Sequence, residues 1–345
     1  MHIPDGYLGP QTYLPAWGVM APVWSWASGR LRRTLRRRQL PTMALAAAFT
    51  FVVMMFNVPL PGGTSGHAVG SVLVALLLGP WAAVVAVSVA LAVQALLFGD
   101  GGITALGANC LTMAVIMPFA GWWAYRLLAG GTNATSRRRA LAAGIGGYVG
   151  VNAAALATGV LLGIQPLVAH DVSGRPLYCP FGLSVAVPAM VLPHLLAIGF
   201  VEAAVTGLGM SYLLRTEPEA LIAATPGPGD RPLRRFAAVL AALVLLAPLG
   251  LIAAARLGAG TAWGEWSAGE LAALAGRLPG GFGRLSSLWR APLPDYGPPG
   301  AEGSPMAAQA LWYGVSAALG AAAIVAVVLV VRRFLSEKGS GDAAP

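Results

Sequence analysis

Runs of about 20 apolar residues constrain this chain more than any other feature, because such runs match the thickness of a bilayer core. Hydrophobic residues make up 57% of the 345 residues and charged residues only 10%. A soluble domain carries about 25% charged residues, so we expect an all-α polytopic membrane protein. The apolar runs lie at residues 11–29, 41–60, 68–79, 80–98, 104–129, 140–164, 184–214, 236–255 and 307–331. The stretch 68–98 could be one helix broken at Gly79-Pro80, but two crossings explain its length better.

The basic residues cluster beside these apolar runs. Arginine clusters occur within residues 30–38, 137–139, 231–235 and 332–333, and the formal net charge is +9. Loops rich in Arg and Lys stay in the cytoplasm, so nine crossings with an outside N-terminus place all four clusters on the cytoplasmic side. Eight crossings would split them. The clusters therefore predict topology, with a cytoplasmic C-terminus, and argue against nucleic-acid binding.

A polar linker divides the chain into two parts. Residues 216–235 are rich in Pro, Gly and acidic residues, a composition typical of interdomain segments. Seven predicted helices precede the linker, in residues 1–215, and two follow it, in residues 236–335. These two flank a loop at residues 256–304, and residues 336–345 form a polar tail. The loop's tryptophans are interpreted as membrane-interface residues rather than ligand contacts; they are Trp263, Trp266 and Trp289.

The second residue is a histidine, and at this position it can chelate a metal ion. The Met1 amine, the backbone nitrogen of His2 and the His2 imidazole can bind one ion through fused five- and six-membered rings. Planar nitrogen donors favour Ni²⁺, Cu²⁺ or Co²⁺ over Mg²⁺ or Ca²⁺. The chelate needs a free amine and a retained Met1. Residues 1–10 contain no Lys or Arg, unlike a signal peptide, so we expect the N-terminus to be kept.

A Gly-rich turn at residues 57–67 carries a second histidine on the same predicted side of the membrane. The chain has 4 histidines, and His67 follows Gly62, Gly63, Thr64 and Ser65. We expect Thr64 and Ser65 to cap a helix that begins near His67. His67 could supply the fourth nitrogen of a square plane, because neutral imidazole is a common metal ligand. The alternative is a tight turn with an incidental histidine.

Four segments of residues 1–215 carry a family resemblance: MHIPDGYL at residues 1–8, PGGTSGH at 61–67, LGPWAA at 78–83 and ALLFGDGGITALGAN at 95–109. They closely resemble the CbiM/NikM family, the substrate-binding membrane (S) components of energy-coupling-factor transporters for cobalt and nickel. The resemblance implies a seven-helix S-component bundle plus two additional transmembrane helices. It also implies a site built from the Met1 amine, the backbone and side-chain nitrogens of His2, and the His67 imidazole.

The last two predicted helices resemble a second subunit. The loop between them contains WGEW at residues 263–266 and PLPDY at residues 292–296. These features are similar to the CbiN/NikN partner subunit, here fused to the C-terminus in a NikMN-type arrangement.

Other polar residues near the proposed site have weaker assignments. Asp5, Asp100 and Asn109, with the Gly-rich turn, are candidates for supporting the ligands. Turn formation and helix capping explain Asp100 and Asn109 equally well, and Asp5-Gly6 is interpreted first as a turn that returns the N-terminus towards the bundle. Three polar residues in apolar helices are interpreted as hydrogen-bonding groups between helices; they are Gln94, His194 and Glu202. Cys110 is interpreted as a packing residue and Cys179 as a loop residue without an assigned role. His170 is expected in a solvated loop.

The sequence-based hypothesis is capture of Ni²⁺ or Co²⁺ as a transported substrate rather than as a cofactor. The chain contains no phosphate-binding Gly-x-x-x-x-Gly-Lys-[Ser/Thr] motif. By resemblance, it would work with a transmembrane coupling (T) subunit and two ATPase (A) subunits. Small residues such as Ala44, Ala46, Ala47 and Ala48 would permit close contact with such a partner. A membrane metalloenzyme and a structural scaffold are the alternatives, and the choice between nickel and cobalt stays open.

Overall fold

The protein is an α-helical bundle with a short hairpin. The computed structural model describes residues 1–34, 40–60, 64–130, 136–216, 231–256, 266–301 and 303–337. The helices of the first part are α1 (Pro10–Thr34), α2 (Leu40–Met54), α3 (Ser71–Leu78), α4 (Pro80–Phe98), α5 (Leu106–Ala129), α6 (Ser136–Gly163) and α7 (Leu183–Thr216). A single helical turn, Gln165–Val168, follows α6.

The second part contains two long helical stretches and the segment between them. Its helices are α8 (Arg231–Leu246), α9 (Pro248–Arg256), α10 (Ala268–Ala275), α11 (Phe282–Ser286) and α12 (Met306–Glu337), with a 3₁₀ turn at Pro294–Tyr296. The predicted loop at 256–304 therefore contains short helices. Most of the predicted linker, most of the polar tail, and Trp263 lie outside the described residues.

The predicted apolar runs agree closely with the observed helices. Within the described residues, six helices are long and apolar enough to cross a membrane: Pro80–Phe98, Leu106–Ala129, Ser136–Val168, Leu183–Thr216, Arg234–Ile252 and Met306–Val330. Each begins within four residues of its predicted start. The chain is thus a multi-pass membrane protein, as predicted. Helix α1 is not among the six, and α2 is shorter, so the count of nine crossings stays a prediction.

Helix α3 differs from the crossing expected at residues 68–79. The chain does divide at Gly79, which has a φ of 90°, and Pro80 begins the next helix. However, α3 has 8 residues, and at 1.5 Å per residue it is about 12 Å long. A helix of that length covers less than half of a bilayer core of about 30 Å.

A β-hairpin replaces the end of the predicted helix 41–60. Strand β1 (Val58–Leu60) pairs antiparallel with β2 (Thr64–Gly66), in the register Val58 to Gly66. Thr64 and Ser65 therefore lie on a strand and are not helix caps, since α3 begins only at Ser71. The Pro and Gly residues of this stretch break the helix. His67 follows β2 directly, outside any helix.

Helices α4, α5 and α7 each contain a π-helical turn. The turns are Gln94–Phe98, Cys110–Ile116 and His194–Ile198. Such turns locally change the helical register and are frequent at functional sites. Two of them begin at a polar residue of an otherwise apolar helix, Gln94 and His194, and both side chains are buried.

Helix α6 packs along both α5 and α7. Small residues permit this packing, because a membrane gives helices little hydrophobic drive to associate and close backbone approach must supply the contact. A Cβ on Gly146 would lie 2.7 Å from the carbonyl oxygen of Gly121 in α5. The two backbones therefore meet where neither residue has a side chain.

The second part of the chain packs on α2. Helices α8 and α12 both contact α2, and α12 also contacts α4. The alanines that were expected to contact a partner subunit are buried within the bundle and are at most 2% exposed; they are Ala44, Ala46, Ala47 and Ala48. That expectation is wrong, because the chain's own helices cover this surface.

We expect the Gly146→Ala substitution to destabilise the bundle, because its Cβ would meet backbone that cannot move away cheaply. Overpacking of this kind costs about 1–3 kcal/mol. The measurement is the melting temperature in detergent. Gly18→Ala in α1 is the matched control, since a Cβ there meets nothing within 4 Å. Equal melting temperatures for the two variants would contradict the tight α5–α6 contact.

Candidate metal site

The amino-terminal segment is folded into the bundle rather than exposed. Met1 is 0% exposed and His2 2%. The side-chain amide of Asn109 in α5 bonds both backbone groups of Ile3: Oδ1 accepts from the Ile3 N–H at 2.8 Å, and Nδ2 donates to the Ile3 carbonyl at 3.0 Å. The backbone N–H of Gly102 donates to the same carbonyl at 2.9 Å. Residue 3 is therefore held at a defined position beside α5.

Asp5 fixes the turn that comes next in the chain. Its carboxylate accepts the backbone N–H groups of Ile103 at 2.9 Å and Thr104 at 2.8 Å, and also the Thr104 hydroxyl. Gly102 lies so close that a Cβ there would clash with the Asp5 backbone nitrogen. The predicted supporting residues thus hold the amino terminus at two places: Asp5 bonds it to the loop between α4 and α5, and Asn109 bonds it to α5.

The Met1 amine and His67 meet in the interior. The amine nitrogen lies 3.3 Å from Nε2 of His67, which is 1% exposed. Nδ1 of His67 lies 3.1 Å from the carbonyl oxygen of Ala68. A carbonyl only accepts hydrogen bonds, so Nδ1 carries the ring proton and Nε2 presents its lone pair to the amine.

The charge state of His67 also suits a ligand. Burial lowers the pKa of His67 well below its usual value, and the nearby positive charge of the Met1 amine lowers it further. The imidazole is therefore neutral at physiological pH. Neutral imidazole is the form that binds metal ions.

Glu202 of α7 supports the segment that carries His67. Its carboxylate accepts the backbone N–H of Val69 at 2.8 Å and that of Gly70 at 3.1 Å, and the Thr206 hydroxyl at 3.2 Å. Sequence reasoning identified Glu202 as a hydrogen-bonding group between helices. The structure instead pairs it with the backbone between β2 and α3, two residues after His67.

His2 lies between His67 and Asp100. The ring centroids of His2 and His67 are 4.6 Å apart. Nδ1 of His2 bonds the Asp100 carboxylate, whereas its Nε2 is buried and has no hydrogen-bond partner in the described part of the chain. A chelate with fused five- and six-membered rings uses Nδ1. Metal binding of that kind would therefore replace the hydrogen bond between Nδ1 and Asp100 with a bond between Nδ1 and the metal.

The second carboxylate oxygen of Asp100 also accepts hydrogen bonds. Oδ2 accepts the Tyr296 hydroxyl at 2.6 Å and the Gln94 side-chain amide at 3.3 Å. Burial alone would raise the pKa of Asp100, but the charge of His2 and the hydrogen bonds from His2 and Tyr296 lower it overall. The carboxylate is therefore ionised. Tyr296 was not predicted as a site residue, although it lies in the PLPDY segment that carried the second resemblance.

The remaining sequence candidates lie elsewhere or are not described. Gly62 and Gly63 lie outside the described residues, and β2 contains Thr64 and Ser65. His194 bonds within its own helix, with Nδ1 2.7 Å from the Met190 carbonyl, rather than between helices. Cys110 and Cys179 are buried free thiols, and His170 is exposed.

Side chains alone do not make the site. Among the described residues, no group of three or more His, Cys, Asp or Glu side chains could hold a metal ion. The structure brings together two imidazoles and the chain's own amine. A metal bound here would need nitrogen donors from the amino-terminal backbone.

The sequence is similar to those of known metal transport proteins. The family model described as CbiM, cobalt uptake substrate-specific transmembrane region, matches residues 2–220. The chain is 50% identical over 342 residues to the fused nickel transport protein NikMN of Rhodobacter capsulatus, covering 94% of this chain and 95% of that protein. It is 48% identical over 273 residues to the probable fused nickel transport protein LarMN of Lactiplantibacillus plantarum, with 79% of each covered.

Two solved structures share the fold. A crystal structure of a truncated transition metal transporter superposes with a TM-score of 0.59 at 51% identity, covering 62% of this chain and 99% of that one. A second transition metal transporter gives a TM-score of 0.60 at 50% identity, covering 64% and 96%. From the family match and the identity that extends over nearly its full length, the chain belongs to the CbiM family of substrate-specific transmembrane proteins.

Proposed function

We propose that this protein captures a divalent transition metal ion, Ni²⁺ or Co²⁺, as the substrate-specific subunit of an ATP-driven uptake system. The observation that carries the proposal is the buried contact of 3.3 Å between the Met1 amine and Nε2 of His67. The NikMN and LarMN relatives are named as nickel transport proteins. The metal is the cargo, not a resident cofactor.

The proposed ligands are the Met1 amine, the backbone nitrogen and Nδ1 of His2, and Nε2 of His67. Neighbouring nitrogens of a square plane, each about 2 Å from the metal, lie about 2.8 Å apart. The observed 3.3 Å between the amine and His67 is close to that spacing. We call these four nitrogen donors the metal clamp. Asp5 and Asn109 support the metal clamp by fixing the backbone next to it.

Four nitrogens complete a plane and favour capture over catalysis. A catalytic metal keeps a position open for water or substrate, which this donor set does not provide. A metalloenzyme with the same histidines and a structural scaffold with an incidental histidine are the competing functions. The names of the relatives, which are transport proteins, favour transport over both.

The proposed subunit acts with partners. The sequence has no phosphate-loop motif of its own, so a coupling (T) subunit and ATPase (A) subunits would supply the work of release. The arginine clusters support a topology in which the clamp lies on the outer side of the membrane and the C-terminus lies in the cytoplasm. We propose residues 1–215 as the metal-binding domain, joined by the linker 216–235 to a CbiN/NikN-like unit at 236–335.

Leaving Met1 formylated is expected to abolish high-affinity binding. The terminal nitrogen becomes an amide that no longer offers a free amine lone pair, so the five-membered chelate ring loses its terminal donor. Loss of a ligand should weaken affinity by at least about 100-fold. Isothermal titration with Ni²⁺ and with Co²⁺ measures this and also shows which ion the protein prefers. Unchanged affinity with the blocked amine would refute the clamp.

His67→Ala is expected to weaken metal binding by a similar factor, because it removes the proposed fourth nitrogen donor, Nε2, which lies 3.3 Å from the Met1 amine. His170→Ala is the matched control, since His170 is exposed in a loop. Titration and metal uptake of the two variants should differ strongly. If the His67 variant binds and transports as well as the His170 variant, the site assignment is wrong.

Metal affinity is expected to rise with pH. Binding displaces protons from the Met1 ammonium, the His2 amide and Nδ1 of His2, whereas His67 is already neutral because its pKa is lowered. Each released proton contributes about tenfold in affinity per pH unit below the pKa of the group, which for an α-amine is about 7.7–8.0. Titrations between pH 6 and 8 measure the slope, and buffers of different ionisation enthalpy measure the protons. A flat profile would contradict the proposed ligands.

A further inference from the structure

Tyr296 comes from the second part of the chain and reaches the proposed metal site. It is 1% exposed, and its ring stacks on Phe98 at the end of α4, with centroids 4.6 Å apart and planes 13° apart. Its hydroxyl donates to Asp100 at 2.6 Å. The tyrosine is thus inserted between the two parts of the protein.

The backbone at Tyr296 is unusual and firmly held. Asp295 has a φ of 50° and Tyr296 a φ of 64°, a left-handed conformation that residues other than glycine rarely adopt. The Tyr296 carbonyl accepts the Ser316 hydroxyl at 2.8 Å, and the Leu293 N–H donates to the Leu97 carbonyl at 3.0 Å. Strained backbone of this kind persists where the surroundings impose it, and it is concentrated at functional sites.

Asp100 connects Tyr296 to His2. One carboxylate oxygen bonds Nδ1 of His2, and the other accepts Tyr296 and Gln94. Gln94 also donates to the Tyr296 hydroxyl oxygen at 3.0 Å. The chain of contacts His2–Asp100–Tyr296 therefore has a defined direction of hydrogen bonding, with Tyr296 as the donor to the carboxylate.

This network matters when His2 changes partner. If Nδ1 turns to a metal, the buried carboxylate of Asp100 loses one donor, and leaving a buried charge poorly bonded is costly. Tyr296 and Gln94 are the donors that stay with it. Removing the Tyr296 hydroxyl should therefore disfavour the metal-bound arrangement.

We propose that Tyr296 is a positioning residue for metal capture, which acts through Asp100 on His2 and makes the affinity of the site depend on the fused C-terminal unit. This inference rests on the proposed metal clamp. It assigns to that unit a direct part in setting affinity, through one hydroxyl group.

The test is nickel titration of the full-length Tyr296→Phe variant, which keeps the aromatic stacking and removes only the hydroxyl. We expect affinity to fall about tenfold, the lower end of the effect of losing a group that orients a metal ligand. Tyr313→Phe is the matched control. Its ring also packs on Tyr296, but its hydroxyl donates to the Met55 carbonyl, so its affinity should match that of the wild type.

A double-mutant cycle separates positioning from general destabilisation. In an Asp100→Ala background, Tyr296→Phe should change affinity by less than about twofold, because the two act as one unit. An additive loss, or wild-type affinity in the single Tyr296 variant, would overturn the inference. Melting temperatures of all variants show whether each is folded.

His67→Ala in the same titration distinguishes the two proposals. If it keeps wild-type affinity, the clamp itself is wrong, and the inference on Tyr296 fails with it. If His67→Ala loses binding while Tyr296→Phe does not, the clamp stands and only the part assigned to Tyr296 is wrong.

Discussion

Hydrogen bonds made by the Ile3 backbone and the Asp5 side chain determine where the amino terminus lies, and the candidate site depends on that position. Burying a chain end removes its backbone polar groups from water, which costs free energy unless those groups form hydrogen bonds inside the protein. Asn109 satisfies both backbone groups of Ile3, and Asp5 accepts two backbone N–H groups of the loop after α4. Met1 and His2 are held next to His67 as a consequence.

Irregular backbone is concentrated around this position. Within a membrane, non-helical segments are tolerated only where protein or a cavity satisfies their polar groups. The stretch after the hairpin meets that condition through Glu202, which accepts the N–H groups of Val69 and Gly70. The π turn at Gln94 directs a buried amide towards Asp100. The acid in α7 and the amide in α4 therefore support the two sides of the same site.

The two parts of the chain share one interior. Helices α8 and α12 pack on α2 together with α3 and α4 of the first part, and the alanines that were expected to contact a partner subunit are buried. Tyr296 extends this contact to the site through Asp100. The linker divides the chain into two parts in sequence, but the helices of the two parts pack against each other. A coupling subunit would have to contact other surfaces than the α2 alanines.

Composition and apolar run length were sufficient to predict the six long apolar helices, because spanning a bilayer imposes a length that can be read locally. The motif around Met1-His2 and His67 likewise indicated nitrogen donors, since the chemistry of a terminal His needs only adjacent residues. The hairpin and the short α3 were missed, because Pro and Gly mark the end of a helix without specifying the structure of the next segment. The pairings of Glu202 with residues 69–70 and of Tyr296 with Asp100 join positions 133 and 196 residues apart in the chain. No local pattern encodes such contacts; they arise when the helices pack and buried polar groups must find partners.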